Sequence, residues 1–179
     1  MSGAIESLLR QIQERRSAIV GEIGVLSPSD QQWREQATSW SALDILEHLV
    51  LAENFVLGDL STAAERAGQS PTPPERVKSV IVWIVLRFGI RARVPARAMQ
   101  PVGGASFDEL RQRWDAKHAQ LSVFARGLEG AALARRIFRH PIAGPMHTEQ
   151  ALRLMYAHMG THQRQLERLK QAMAARSAA

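Results

Sequence analysis

Apolar residues recur at intervals of three and four along four long stretches of the chain, the pattern expected when amphipathic helices bury one face. In the first stretch, for example, Ile5, Leu8 and Ile12 fall on one side of a helical wheel. The pattern predicts four long helices, covering residues 4–24, 41–68, 106–128 and 148–171. No stretch alternates convincingly enough for a strand, so the predicted fold class is all-α, a four-helix bundle.

Two of these helices begin with recognisable caps. Ser41 is followed three residues later by Asp44, and Ser106 is followed at the same distance by Glu109. In such a capping box the serine oxygen and the carboxylate each accept a backbone N–H that the first turn leaves unpaired. We therefore expect helices to begin just after residues 41 and 106.

The segment between the second and third helices, residues 69–106, interrupts the helical pattern. Prolines in residues 68–74 end the second helix, and residues 77–89 predict a short, very apolar helix that either covers the bundle or contributes to a dimer surface. Residues 90–106 are rich in proline and glycine and predict an extended crossover. Its Arg91, Arg93 and Arg97 are candidates to bind an anionic substrate or cofactor, or are simply solvated.

Composition narrows the class of protein. The chain has 179 residues, of which 45% are hydrophobic and 22% charged, so we expect a single globular domain over residues 1–179 with a frayed tail at 173–179. There is no cysteine, which excludes disulfides, thiolate metal sites and cysteine nucleophiles. There is no signal-peptide pattern, and the longest apolar run, residues 80–86, is too short to span a membrane. A soluble, cytoplasmic protein is expected.

The net charge of +6 raises the question of an acidic partner such as nucleic acid. The arginines, however, are spread along the chain and interleaved with glutamates on the predicted helices. This distribution favours a solvated basic surface, and nucleic acid is not the expected partner.

His158 and His162 lie four residues apart in the last predicted helix. Four residues advance about 400° and about 6 Å, so the two imidazoles stack on one face. Met155 and Leu169 lie on the same face, which is therefore predicted to be buried. Such a pair is either two satisfied core histidines or part of a metal site, and the spacing alone does not decide between them.

A third imidazole, His48, lies in the apolar face of the second helix. Facing helices of a bundle can combine one histidine with an i, i+4 pair into a three-nitrogen site that leaves positions open for water or substrate. Imidazole ligands suit Zn, Ni, Fe or Cu. Glu47, Glu149 and Gln165 are candidates to orient the rings, by proximity in sequence.

The remaining histidines and the large aromatic residues are predicted to be structural. His118, His140 and His147 are expected to be core or exposed residues rather than ligands. Trp40 and Trp114 either line a pocket or fill the core, where aromatic residues at helical spacing usually lie.

Four segments, taken in order, resemble the DinB-like superfamily, also described as YfiT-type metal-dependent proteins. They are Trp-Ser-Ala-Leu-Asp-Ile-Leu-Glu-His at 40–48, Arg-Val-Pro-Ala-Arg at 93–97 with Pro101, His-Pro-Ile-Ala-Gly-Pro at 140–145, and His-Met-Gly-Thr-His-Gln-Arg-Gln-Leu at 158–166. The resemblance covers nearly the whole chain. It implies an up-down-down-up bundle, frequently a homodimer, with a divalent metal held by three histidines that correspond to His48, His158 and His162.

The resemblance leaves the reaction open, because the superfamily includes thiol-dependent transferases and isomerases as well as proposed hydrolases. A metal at this site suits hydrolysis by activated water, or it activates a low-molecular-weight thiol, as in bacillithiol- and mycothiol-dependent members. We favour the thiol-dependent S-transferase or isomerase chemistry on a small molecule, since the sequence offers no separate acid and base set. A non-enzymatic metal- or nucleic-acid-binding bundle and a purely structural metal are the alternatives.

Overall fold

The computed structural model of the chain describes residues 3–58, 60–63, 70–88, 97–140 and 142–177. In chain order its elements are α1 (Gly3–Gly24), α2 (Pro28–Gln32), α3 (Ala42–Leu57), α4 (Leu60–Ala63), α5 (Pro73–Phe88), a 3₁₀ turn (Arg97–Met99), α6 (Phe107–Gly127), α7 (Ala131–Ala134), β1 (Phe138–His140), β2 (Gly144–Met146) and α8 (Thr148–Ser177). Most of the described residues are helical, which confirms the predicted all-α class.

The four long helices pack around one core. Helix α1 lies along α8, and α3 packs against both α6 and α8. Each helix contributes its predicted apolar face, with Ile12, Ile45, Trp114 and Leu166 among the fully buried side chains. Burying this continuous apolar surface is the main free-energy gain that holds the helices together.

Both predicted capping boxes are present. The Ser41 hydroxyl accepts from the Asp44 amide over 3.1 Å, while the Asp44 carboxylate accepts from the Ser41 amide over 2.8 Å. Ser106 and Glu109 repeat the exchange at 3.3 and 2.8 Å. The boxes fix where α3 and α6 begin, and α3 is the helix that carries His48.

The second long helix is shorter than predicted. It ends at Leu57 rather than near residue 68, because Gly58 adopts a φ of 58°, which lies in the left-handed region. The Gly58 amide bonds the Asn54 carbonyl, and the Gly58 carbonyl accepts from Lys117 Nζ over 2.7 Å. Residues 64–69 lie outside the described residues.

A short hairpin was not predicted. Strands β1 and β2 pair antiparallel, with Phe138 opposite Met146 and His140 opposite Gly144. Three-residue strands, one of which reads Gly-Pro-Met, carry no alternating pattern that a sequence could show. The hairpin packs against α3 and α5, which hold it in place.

The predicted crossover is described only in part. Helix α5 begins at Pro73, where the Thr72 amide and hydroxyl both donate to the Glu75 carboxylate. Arg91 and Arg93 lie outside the described residues. Arg97 begins the 3₁₀ turn, but its side chain is not described. The predicted role of these arginines in anion binding therefore stays a prediction.

None of the described helices is both long enough and apolar enough to cross a bilayer.

Candidate metal centre

Three histidines from two helices meet inside the bundle. Nε2 of His158 lies 3.2 Å from Nε2 of His48 and 3.0 Å from Nε2 of His162. His48 comes from α3, and the other two come from successive turns of α8. Among the described residues, these three histidines form a group whose ligand atoms lie close enough together to hold a metal ion. We refer to it as the three-histidine cluster.

Two of the rings are oriented through their other nitrogen. Nδ1 of His48 lies 2.7 Å from the Met99 carbonyl oxygen, and Nδ1 of His162 lies 2.9 Å from Oε1 of Gln165. Both oxygens accept, so each Nδ1 must carry the proton and each neutral ring keeps its Nε2 lone pair free. The free lone pairs point into the cluster.

The surroundings keep the rings uncharged. Burial lowers the pKa of His48, and burial with the charge of His48 lowers the pKa of His162 to about 3. The pKa of His158 lies well below its usual range, first because of burial and then because of the two neighbouring imidazoles. Near neutral pH all three are therefore in the form that ligates metals.

The donor set fits a divalent metal. Nε2 of His158 carries at most one hydrogen and cannot donate to both neighbours. At least one of its two neighbours therefore faces it lone pair to lone pair, with no proton between the two nitrogen atoms. A cation at the centre would remove that repulsion. Three imidazole nitrogens, two of them oriented by oxygen acceptors, are a borderline-soft set of the kind that Zn, Ni and Fe accept.

Trp40 covers one side of the three-histidine cluster. Its ring lies 4.8 Å from the His48 ring and stacks on the His162 ring at 5.9 Å with an interplanar angle of 17°. The sequence did not decide whether Trp40 and Trp114 line a pocket or fill the core, and Trp40 lines the site. Trp114 is fully buried in the core, where Nε1 donates to Glu53 Oε2 over 2.5 Å.

The cluster opens onto a cavity of about 1000 Å³. His48 and His162 are buried, whereas His158 is only partly shielded. Apolar residues share the wall with about as many polar ones, among them Arg168, Gln165, His140 and the acidic Glu35, Asp44 and Glu53. A concave space that combines apolar surface with polar groups is the usual form of a small-molecule site.

Of the residues proposed to orient the rings, only Gln165 does so. Glu47 accepts from the Gly103 amide over 2.9 Å, and Glu149 pairs with Arg153 one turn away. Sequence proximity was the only reason to expect Glu47 and Glu149 to orient the imidazole rings, and their side chains bond other partners. Met99 does orient a ring but was missed, because it acts through a backbone carbonyl that has no residue-specific signal.

Two further groups of the cavity were also missed or placed differently. Glu53 lines it, and burial raises the pKa of this carboxyl to about 7. His140, expected to be structural or exposed, is partly buried on the hairpin and lines the cavity.

The other two histidines lie outside the cavity lining. His118 is buried, and His147 caps α8 through a bond from the Gln150 amide to its Nδ1.

Comparisons with known proteins point to one family. Residues 11–166 match the profile of the DinB superfamily. No significant match was found among curated proteins or among solved structures. The match includes His48, His158 and His162 and spans more than half of the sequence. The chain therefore belongs to the DinB superfamily.

Proposed function

We propose that this protein is a metal-dependent enzyme in which His48, His158 and His162 bind one divalent ion, and that it catalyses thiol-dependent S-transfer or isomerisation of a small molecule. The observation that carries the proposal is the convergence of three Nε2 atoms at the wall of a cavity, where those of His48 and His162 lie 3.2 and 3.0 Å from that of His158. A metal held by three protein ligands keeps positions for other molecules, as catalytic sites do.

Two carboxylates of the cavity differ in what they could contribute to hydrolysis. Asp44 is held by the Ser41 amide and by Arg34 at 2.8 Å, and Glu53 is bonded to Trp114. Hydrolysis usually requires a free base or acid beside the metal, and Asp44 is not free. Glu53 keeps Oε1 without a hydrogen-bond partner among the described residues, so it is the carboxyl that the alternative hydrolase would use. A thiol needs less help, because its sulphur is a strong nucleophile once deprotonated.

The proposed transfer would be a nucleophilic substitution in which the thiol is the nucleophile. A metal held by His48, His158 and His162 would supply a Lewis acid that favours the thiolate form of the thiol at neutral pH. The new bond would join the sulphur to the electrophilic carbon of the substrate, the leaving group would depart with the electron pair of its bond to that carbon, and the thiol proton would pass to water. Trp40 and the apolar residues of the wall would limit water around the sulphur, and Arg168 would supply a positive charge for an anionic group of cofactor or substrate.

The test compares two reactions on the same preparations. Protein loaded separately with Zn, Ni and Fe is assayed with an activated aryl halide and an epoxide in the presence of N-acetylcysteine, bacillithiol or mycothiol, and with a library of esters and amides without thiol. We expect thiol-dependent turnover that is lost in His158→Ala and retained in Arg153→Ala, an exposed position on the same helix. Hydrolysis of the library without thiol-dependent turnover would overturn the thiol assignment and favour the hydrolase.

The small-molecule substrate and the homodimer remain proposals as well. The size of the cavity, about 1000 Å³, supports a ligand of modest size. The dimer rests on the resemblance to the superfamily, and light scattering on the purified protein tests it: a mass of one chain at micromolar concentration would contradict it.

A further inference from the structure

His140 is a polar side chain of the cavity that the proposed metal centre does not use. It ends strand β1, opposite Gly144, and the hairpin is held between α3 and α5. The ring therefore sits on a supported element rather than on a free loop, and it is partly buried.

The hairpin turn fixes which nitrogen carries the proton. Nδ1 of His140 accepts from the Ile142 amide over 3.2 Å and from the Ala143 amide over 3.0 Å. A nitrogen that accepts two N–H groups must present its lone pair, so the hydrogen of a neutral ring resides on Nε2. Burial lowers the pKa of His140 to about 4, which keeps the ring neutral near pH 7.

The ring lies within electrostatic reach of the three-histidine cluster. A positive charge on His140 would lower the pKa of His158, and both residues line the same cavity. Neither hydrogen bond that His140 makes to the described residues uses Nε2. The N–H of Nε2 is thus the group through which this ring can act on a bound molecule.

We propose that His140 is a binding residue of the site: its Nε2–H donates a hydrogen bond to an anionic or carbonyl atom of the ligand that occupies the cavity beside His48, His158 and His162. The inference rests on the proposed function for the position of that ligand, but the tautomer of the ring does not depend on it. A neutral donor of fixed direction favours ligands with an acceptor at this point and rejects those with a second donor there.

The tautomer is tested first, on metal-free protein. Imidazole ¹⁵N NMR near pH 7, with the His140 signals identified by their loss in His140→Asn, is expected to show a protonated Nε2 and an unprotonated Nδ1. A protonated Nδ1 would overturn the proposal, and so would an imidazolium ring. The result is independent of any metal or activity.

The binding role is tested with azide and Co(II)-loaded protein, followed by visible absorption. His140→Asn places an amide oxygen near the Nδ1 position, so it can still accept from the turn but lacks the Nε2 donor. His140→Gln places an amide N–H near the Nε2 position. We expect azide affinity to fall about tenfold in the Asn variant and to stay near the wild-type value in the Gln variant. Unchanged affinity in the Asn variant, or equal losses in both variants, would overturn the proposal. Failure of every variant and of the wild type to bind Co(II) would count against the metal centre instead, and the tautomer measurement would still decide the state of His140.

Discussion

Gln165 Oε1 accepts a hydrogen bond from His162 Nδ1 over 2.9 Å, within one turn of α8. The bond holds the ring so that Nε2 faces the cluster, and it makes that nitrogen a better ligand. Replacing Gln165 by Ala should therefore lower the affinity for Zn by about 10- to 100-fold, the range usual for such partners. Competition with a chromophoric chelator measures the change.

The neighbouring glutamine provides the control. Gln163, on the same helix, bonds Glu22 on α1 over 3.1 Å rather than a cluster histidine. Gln163→Ala should leave the Zn affinity unchanged. Equal losses in the two variants would show that the Gln165 bond has no specific role in the cluster.

Removal of the metal should leave the bundle folded. The core is built from apolar residues of all four long helices and does not depend on the three histidines. With free Zn at 100 times its dissociation constant, linkage predicts a stabilisation of about 2.7 kcal/mol and a rise in Tm of roughly 5 to 10 °C for a chain of this size. Circular dichroism before and after chelation checks this. Loss of the helical signal on chelation would instead support the purely structural metal.

Glu53 should make the protein less stable as the pH rises. Its folded pKa is about 7 against an ordinary 4.5, so the folded state binds more protons between these values and stability falls as the pH increases through this window. The cause is burial, which outweighs the Trp114 bond and the charges of Arg16 and Lys117. Below the window the carboxyl is protonated in both states, and above it the loss is complete.

Glu53→Gln isolates this effect, because the amide is similar in size and does not ionise. Relative to wild type, the variant should gain on the order of 3 kcal/mol in unfolding free energy between pH 4.5 and pH 8, from the difference in pKa. Urea denaturation of both proteins at each pH measures the gain, and other titrating groups cancel in the comparison. A difference that stays constant over this range would contradict the assignment.

Two glycines should respond oppositely to alanine. Gly144 has a φ of 74°, and a Cβ there would lie 2.8 Å from Cδ of Glu75, so Gly144→Ala should destabilise the protein by about 1 to 3 kcal/mol. Gly21 lies inside α1 with no heavy atom within 4 Å of an added Cβ. Gly21→Ala should stabilise by up to about 1 kcal/mol. Thermal unfolding compares the two, and stabilisation by Gly144→Ala would contradict the strain argument.

The sequence predicted those features whose cause is local. The capping boxes at Ser41 and Ser106 depend on residues three positions apart, and the pairing of His158 with His162 depends on helical spacing alone. His48 could be included because the apolar stripe of α3 showed which way it points. The fold class and the set of clustered histidines were therefore predictable.

The features that were missed have causes that leave no periodic pattern in the sequence. The bond from His48 to the Met99 carbonyl joins residues 51 positions apart through a backbone atom. The hairpin that carries His140 has strands too short for any periodic pattern. Gly58 ends α3 through its own left-handed φ of 58°, inside an amphipathic stretch that otherwise reads as continuous helix. The His48 bond depends on a distant partner, whereas the hairpin and the end of α3 have local causes that the apolar pattern does not show.

The central claim is that His48, His158 and His162 bind one divalent metal ion. Elemental mass spectrometry of protein purified without a histidine tag tests it most directly. We expect about one divalent ion per chain in the wild type and in His147→Asn, which keeps a good helix cap at the start of α8. We expect a large loss of the ion in His48→Ala, His158→Ala and His162→Ala. Retention of the metal by all three alanine variants would contradict the site.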